Sequence, residues 1–142
     1  MKIYLAGQSE EKSYRDEIKN KYHDMFKLID PMYDEKCLIK NLQSKIMNKE
    51  LFTENDVDYI VESDKMKILE CDYVVAFVEK FSAGTMMEII FAFERKKTIL
   101  LIDPLCKFRY EVWIRYHVDQ SFNTIDDCFN FLLNEVGKIN NI

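Results

Sequence analysis

The chain has 142 residues, 48% hydrophobic and 13% aromatic, which is enough apolar side chain for one domain with a substantial core and too much for a disordered segment. Its formal net charge of −5, with no concentrated Lys/Arg stripe, argues against a nucleic-acid polymer as partner and leaves a small anionic ligand open. No apolar run reaches the roughly 18 residues of a membrane-spanning helix, and Met1-Lys2 leads into a strand-like run rather than a signal peptide, so a cytoplasmic protein without a membrane partner is expected.

Three glycines and two prolines punctuate the elements. The first strand is Lys2 to Ala6, closed by Gly7. Glu10 to Tyr22 is charged, with apolar residues sparse enough for burial on one side only, which predicts a surface helix. It returns the chain to a second strand, Phe26 to Asp30, stopped by Pro31. Across Tyr33 to Phe52, the residues Leu38, Ile39, Leu42, Ile46 and Met47 give a helical stripe among asparagines and charges, read as a partly exposed segment able to cover a ligand. Thr53-Glu54-Asn55-Asp56 can cap the next helix, whose apolar side runs from Val57 through Ile60 and Ile68 to Leu69.

The centre of the chain is Leu69 to Ile102. Tyr73 to Val78 and Thr98 to Ile102 are short, β-branched and unalternating, as parallel strands buried on both faces are. Between them Met86, Met87, Ile89, Ile90, Phe91 and Phe93 recur at helical spacing from Thr85 to Arg95, which completes a βαβ unit. Ser82-Ala83-Gly84-Thr85 stands where the loop meets the helix, where free N–H groups and the helix dipole favour an anion. Glu88 follows one turn in and admits two readings: the partner of Thr85 in a capping box, or a carboxylate beside a ligand.

Beyond the fourth strand, Asp103 to Tyr116 is an aromatic, irregular connection with Phe108, Tyr110, Trp113 and Tyr116. A short edge strand, Val118 to Phe122, precedes a last helix capped at Thr124, with Phe129, Leu132, Leu133 and Val136 inward and Gly137 at its expected stop. Alternating strands and helices predict one domain, residues 1–142, with a three-layer α/β/α, flavodoxin-like (Rossmann-like), doubly wound sheet of five parallel strands in the order 2-1-3-4-5. Tyr4, Gly7, Gln8 and Ser9 then meet the loop Glu79 to Thr85 at the switch point between strands one and three. Asp64 joins them, because its helix runs antiparallel to the third strand and climbs about 12 Å toward that edge. Cys37, Cys71, Cys106 and Cys128 stand apart from one another and from His23 and His117, and read as reduced structural thiols. No metal site, Gly-rich dinucleotide fingerprint or P-loop is present in the pattern, and no cofactor is expected.

Three segments together carry a family resemblance: Lys2-Ile3-Tyr4-Leu5-Ala6-Gly7, then Asp64-Lys65-Met66-Lys67-Ile68 ahead of Cys71-Asp72-Tyr73-Val74-Val75-Ala76, then Gly84-Thr85-Met86-Met87-Glu88-Ile89. In this order and spacing the chain resembles the nucleoside 2-deoxyribosyltransferase superfamily, whose fold is the sheet just derived. The resemblance implies an enzyme of nucleotide metabolism acting on a small nucleoside or nucleotide, in a homodimer or higher homo-oligomer. It implies Glu88 as the nucleophile on C1′ of the sugar, Asp64 as the acid that handles the proton of the departing base, and Tyr4 as the residue that orients Glu88. That chemistry needs a carboxylate to capture an oxocarbenium-like sugar and a second acid for the base. At Ser82 the transferases usually carry an aspartate that contacts the sugar hydroxyls, whereas Ser82 and Gly84 are similar to the pair found in the deoxynucleoside 5′-monophosphate N-glycosidase branch. A hydroxyl and bare N–H groups suit a 5′-phosphate that an aspartate would repel. The expectation is hydrolysis of a 2′-deoxyribonucleoside 5′-monophosphate through a deoxyribosyl-Glu88 intermediate, with Gly7, Gln8, Ser9, Ser82, Gly84 and Thr85 around the substrate. Base exchange between 2′-deoxynucleosides is the alternative, because the segment after Gly7 lacks an arginine for phosphate. A non-catalytic nucleotide sensor or sponge is a second alternative.

Overall fold

The apolar runs form the strands and the interrupted, charged stretches form the helices in a computed structural model that describes residues 1–7, 12–32, 44–45 and 48–141. The strands are β1 (Lys2–Gly7), β2 (Lys27–Ile29), β3 (Tyr73–Phe77), β4 (Thr98–Ile102) and β5 (Gln120–Phe122). They make one parallel sheet in the order β2-β1-β3-β4-β5, with Ile3 paired to Tyr73 and Gly7 to Phe77. The described helices are α1 (Lys12–Tyr22), α2 (Glu54–Glu70), α3 (Ala83–Glu94), α4 (Val112–His117) and α5 (Ile125–Asn140). The predicted stripe Leu38, Ile39, Leu42, Ile46 and Met47 lies outside the described residues.

Side chains alternate across a strand, so each central strand feeds two cores. Ile3, Leu5, Val75, Phe77, Leu100 and Ile102 pack on one face with Tyr14, Ile18 and Tyr22 of α1 and Phe129 and Leu132 of α5. Tyr4, Ala6, Val74, Ala76, Ile99 and Leu101 pack on the other with Ile68 of α2, Ile89 and Ala92 of α3, and Ile114 of α4. Polar caps set the helix starts. Thr53 and Asp56 form a reciprocal capping box at α2, with Asp56 N donating to Thr53 Oγ1 at 3.2 Å and Thr53 N to Asp56 Oδ2 at 2.9 Å. Thr124 caps α5 by accepting from Asp127 N at 3.1 Å.

Three sequence expectations are corrected. The aromatic connection after β4 contains the helix α4, because buried Asp103 accepts from the N–H groups of Lys107, Phe108 and Arg109 and folds the preceding loop into a turn that starts it. Gly137 does not stop the last helix, which runs to Asn140. One glycine costs a helix only roughly 1 kcal/mol, and the backbone runs about one turn beyond it through exposed residues. The cap of α3 is Ser82, one turn before Thr85: Ser82 Oγ accepts from Thr85 N at 3.3 Å. Thr85 is therefore inside the helix, and Glu88 belongs to its second turn rather than to a capping box.

The carboxyl end of β1 is tied down by α1. Tyr14 Oη donates to Ala6 O at 2.8 Å while its ring stacks on Phe77 at 4.4 Å. A Cβ on Gly7 would lie 2.0 Å from that hydroxyl, whereas one on Gly137 would meet nothing within 4 Å. Gly7→Ala should therefore destabilise the protein by about 1–3 kcal/mol through overpacking. Gly137→Ala should stabilise it by about 0.5–1 kcal/mol through helix propensity. Denaturant midpoints of the two variants against the parent check both signs.

Candidate active site

Tyr4 points from the middle of β1 into the α2/α3 layer and is fully buried. On α3 the residues turned to the sheet are Thr85, Ile89 and Ala92. Glu88, three after Thr85 and four before Ala92, shares that side along the flank next to α2. Met86 and Ile90 fall on the opposite flank, where an apolar cleft of about 390 Å³ separates α3 from Phe108 and Trp113. Asp64 comes from the C-terminal half of α2, half-buried. The structure thus brings Tyr4, Asp64 and Glu88 from three separate elements to one place at the carboxyl edge of the sheet.

The three groups act on one another. Burial pushes the Glu88 carboxyl up from its ordinary 4.5 to about 8; the charge of Asp64 adds to the rise, and the Tyr4 hydroxyl and Arg15 oppose it. Burial likewise lifts Asp64 from 3.8 to about 6, against the pull of Lys67 and Arg15. Tyr4 is raised well above 10.0, first by burial and then by the two carboxylates. Tyr4 and Glu88 stand close enough to influence each other's ionisation as hydrogen-bond partners, yet Tyr4 Oη and Glu88 Oε2 are both fully buried and neither completes a well-formed hydrogen bond. Although Glu88 as a residue keeps some exposure, this oxygen has none.

Ser82, Gly84 and Thr85 sit together at the N-terminus of α3. Thr85 is buried, and its hydroxyl donates to Ser82 Oγ at 3.1 Å. Gly84 is exposed, and a Cβ there would meet only Ser82 Oγ at 4.0 Å, so the fold itself has room for a side chain. Gly7 ends β1 beside Phe77 of β3, at the switch point. Gln8 and Ser9 lie outside the described residues.

Sequence reasoning missed Arg15. It looks like one more charge on a surface helix, yet it is 2% exposed. Its Nη2 donates to Gly7 O at 2.7 Å and its Nε lies 3.3 Å from Asp30 Oδ1. The signal available was positional: Arg15 adjoins Tyr14 on the face that also carries Ile18 and Tyr22. Cys71, Cys106 and Cys128 are free thiols, and among the described residues no three His, Cys, Asp or Glu side chains gather as a metal site requires.

In open, doubly wound parallel sheets of this kind, small ligands are held at the carboxyl ends of the strands, at the switch point. Within that class the chain is similar in fold to a 2-deoxyribosyltransferase of the psychrotolerant bacterium Bacillus psychrosaccharolyticus, at 16% identity and a TM-score of 0.67 over 89% of each chain. It is similar to the CMP N-glycosidase BcmB of Clostridium botulinum at 20% identity and a TM-score of 0.57, over 96% of this chain and 99% of that one. A conserved protein of Enterococcus faecalis V583 matches at 14% identity and 0.61, over 97% and 98%. At these identities the likeness is one of fold. No protein-family model matches the sequence, and no curated protein matches it.

The raised carboxyl groups predict a pH dependence of stability. A folded-state value above the ordinary one means that the folded protein holds its proton longer, so stability is greatest at low pH and declines as the pH rises. For Glu88 the decline runs from 4.5 to about 8, and for Asp64 from 3.8 to about 6. Glu88→Gln should remove the upper part of this decline and be more stable than the parent at alkaline pH by about 2–4 kcal/mol. Urea unfolding of both proteins across the two windows measures it.

Proposed function

We propose that the protein cleaves the N-glycosidic bond of a 2′-deoxyribonucleoside 5′-monophosphate, with Glu88 as nucleophile and water as final acceptor. The observation that carries the reading is the Glu88 carboxyl group itself: buried oxygen without a hydrogen-bond partner, next to Tyr4 and Asp64, at the ligand edge of the sheet. A helix cap does not need such burial, and α3 is already capped by Ser82. The fold shared with a 2-deoxyribosyltransferase and a CMP N-glycosidase supports an enzyme of this kind.

In the proposed first step an oxygen of ionised Glu88 bonds to C1′ as the C1′–N bond breaks, and the bonding pair leaves with the base, which takes a proton from Asp64. In the second step water attacks C1′ of the glycosyl ester, Asp64 accepts its proton, and the Glu88 carboxylate departs. Such a cycle uses one proton shared between two carboxyl groups. Between about pH 6 and 8 the pair holds one proton, and it titrates as a unit. In the empty site that proton rests on Glu88, so substrate binding must move it toward Asp64 and the base. A hydrogen bond closed from Tyr4 to Glu88 favours the anion and drives the transfer in that direction.

The N-terminus of α3 is assigned to the phosphate. Ser82 and the N–H groups near Gly84 offer donors and a favourable dipole to an anion. Phe81, Tyr110, Val112, Trp113 and Tyr116 are exposed aromatic and apolar side chains, in keeping with assembly with a second copy. Exchange of bases between nucleosides is the second reading, favoured by the engagement of the Thr85 hydroxyl and N–H as donors to Ser82 Oγ in the helix cap, which takes both from an incoming phosphate.

The test of the enzyme assignment is to incubate the protein with deoxynucleosides and deoxynucleotides, with and without a second free base, and to chromatograph the products. Glu88→Ala should lower turnover by at least about 10³-fold with an unchanged thermal midpoint or a higher one. Near-parental turnover would end the nucleophile assignment.

Ser82→Asp keeps a good N-cap residue, so the helix should survive while phosphate is repelled. The parent should prefer the monophosphate in kcat/KM by at least about tenfold, and Ser82→Asp should reverse the order. A parent that prefers nucleosides and transfers the sugar to added base would favour the exchange reading.

A further inference from the structure

Arg15 and the carboxyl pair occupy opposite layers. α1 packs on the face of Ile3 and Leu5, whereas Tyr4, α2 and α3 lie on the other. The guanidinium reaches the sheet's end at Gly7 O, 2.7 Å away, and Gly7 is the last residue of the strand that carries Tyr4. Asp30, itself 7% exposed and just beyond β2, fixes the other side of the group through Nε at 3.3 Å, and Lys19 holds Asp30 from α1 at 3.0 Å. Asp30 Oδ1 also accepts from Met32 N at 2.9 Å, which fixes the carboxylate in turn. Arg15 further lies over the Tyr14 ring at 4.8 Å. A buried cation so anchored has little freedom to move.

We propose that Arg15 is a positioning residue of the carboxyl site: its guanidinium, locked across the sheet edge by Gly7 and Asp30, is the fixed positive charge against which Tyr4, Asp64 and Glu88 are arranged. The proposal rests on the catalytic reading for its consequence and on the clamp geometry for its existence. Two carboxyl groups and a phenol in one desolvated place repel each other as they ionise, and a nearby cation that cannot swing away lowers that barrier for all three. Arg15 favours the ionised form of Tyr4, Asp64 and Glu88 alike. Among the described residues, the charged or titratable groups acting on Glu88 are Tyr4 from β1, Asp64 from α2 and Arg15 from α1; Asp64 also feels Lys67 on its own helix. Arginine rather than lysine suits the task, because a planar fork can donate to the Gly7 carbonyl at one end and keep its charge paired with Asp30 at the other.

The experiment is a pH titration of side-chain carboxyl carbons by NMR, with Glu88 assigned by its loss in Glu88→Gln, run beside pH profiles of kcat/KM. In Arg15→Gln, which removes the charge, the Glu88 midpoint should rise by about one pH unit, and the alkaline limb of kcat/KM, where the pair loses its one shared proton, should follow it. Arg15→Lys should stay within about half a unit of the parent. Asp30→Asn leaves the positive charge less compensated and should lower the Glu88 midpoint, and it serves if Arg15→Gln does not fold. An unmoved Glu88 midpoint in Arg15→Gln or Asp30→Asn would make Arg15 a structural clamp only and overturn the proposal. If the parent releases base from no substrate, the catalytic reading fails, while the carboxyl titration still decides the role of Arg15.

Discussion

A carboxyl group withdrawn from water at the edge of a parallel sheet is the constraint around which the molecule is arranged. Keeping the Glu88 charge there is expensive, and the group responds by holding its proton to about pH 8. Nothing in the packing of α3 requires a carboxylate at that position: the helix is capped by Ser82, and its sheet side is completed by Thr85, Ile89 and Ala92. A side chain that weakens the fold at alkaline pH and supports no element is a candidate for a site, which is the role the proposed function gives it.

The doubly wound topology makes such a site affordable. Strand order reverses between β1 and β3, whose carboxyl ends adjoin, and such a reversal is where open α/β sheets place a ligand crevice. Tyr4 reaches the crevice from below because alternation along β1 sends it, rather than Ile3 or Leu5, to the α2/α3 face. Asp64 arrives on the helix that feeds β3, and Glu88 on the helix that leaves it. Three contributions from three elements therefore converge without any loop having to hold them. Rigid elements of this sort place reacting groups more accurately than loops do.

α1 brings the opposite layer into the same place. Tyr14 and Arg15 are neighbours in sequence, and they take the last two carbonyls of β1, Ala6 and Gly7. One closes the sheet edge with an aromatic stack on Phe77, and the other does so with a buried charge answered by Asp30. The close approach of Tyr14 excludes a side chain at Gly7, which gives this glycine a steric reason that is independent of any ligand.

The sequence by itself determined the sheet, because unalternating β-branched runs such as Tyr73 to Phe77 and Thr98 to Ile102 have few homes other than a parallel sheet covered on both faces. It also determined the strand order and the start of α2, where Thr53 and Asp56 are three residues apart and need only each other. Tertiary structure decided what depends on distant partners. Ser82 and Thr85 are equally good caps in sequence, and the choice of Ser82 placed Glu88 in the second turn of α3, against Tyr4. Gly137 could have ended α5, but the helix runs on to Asn140. The helix α4 depends on Asp103 gathering three N–H groups that no periodicity reveals. Arg15 is the plainest case: a charge on an amphipathic helix is legible as a charge, but its burial follows from Gly7 and Asp30, which only the folded sheet brings to it.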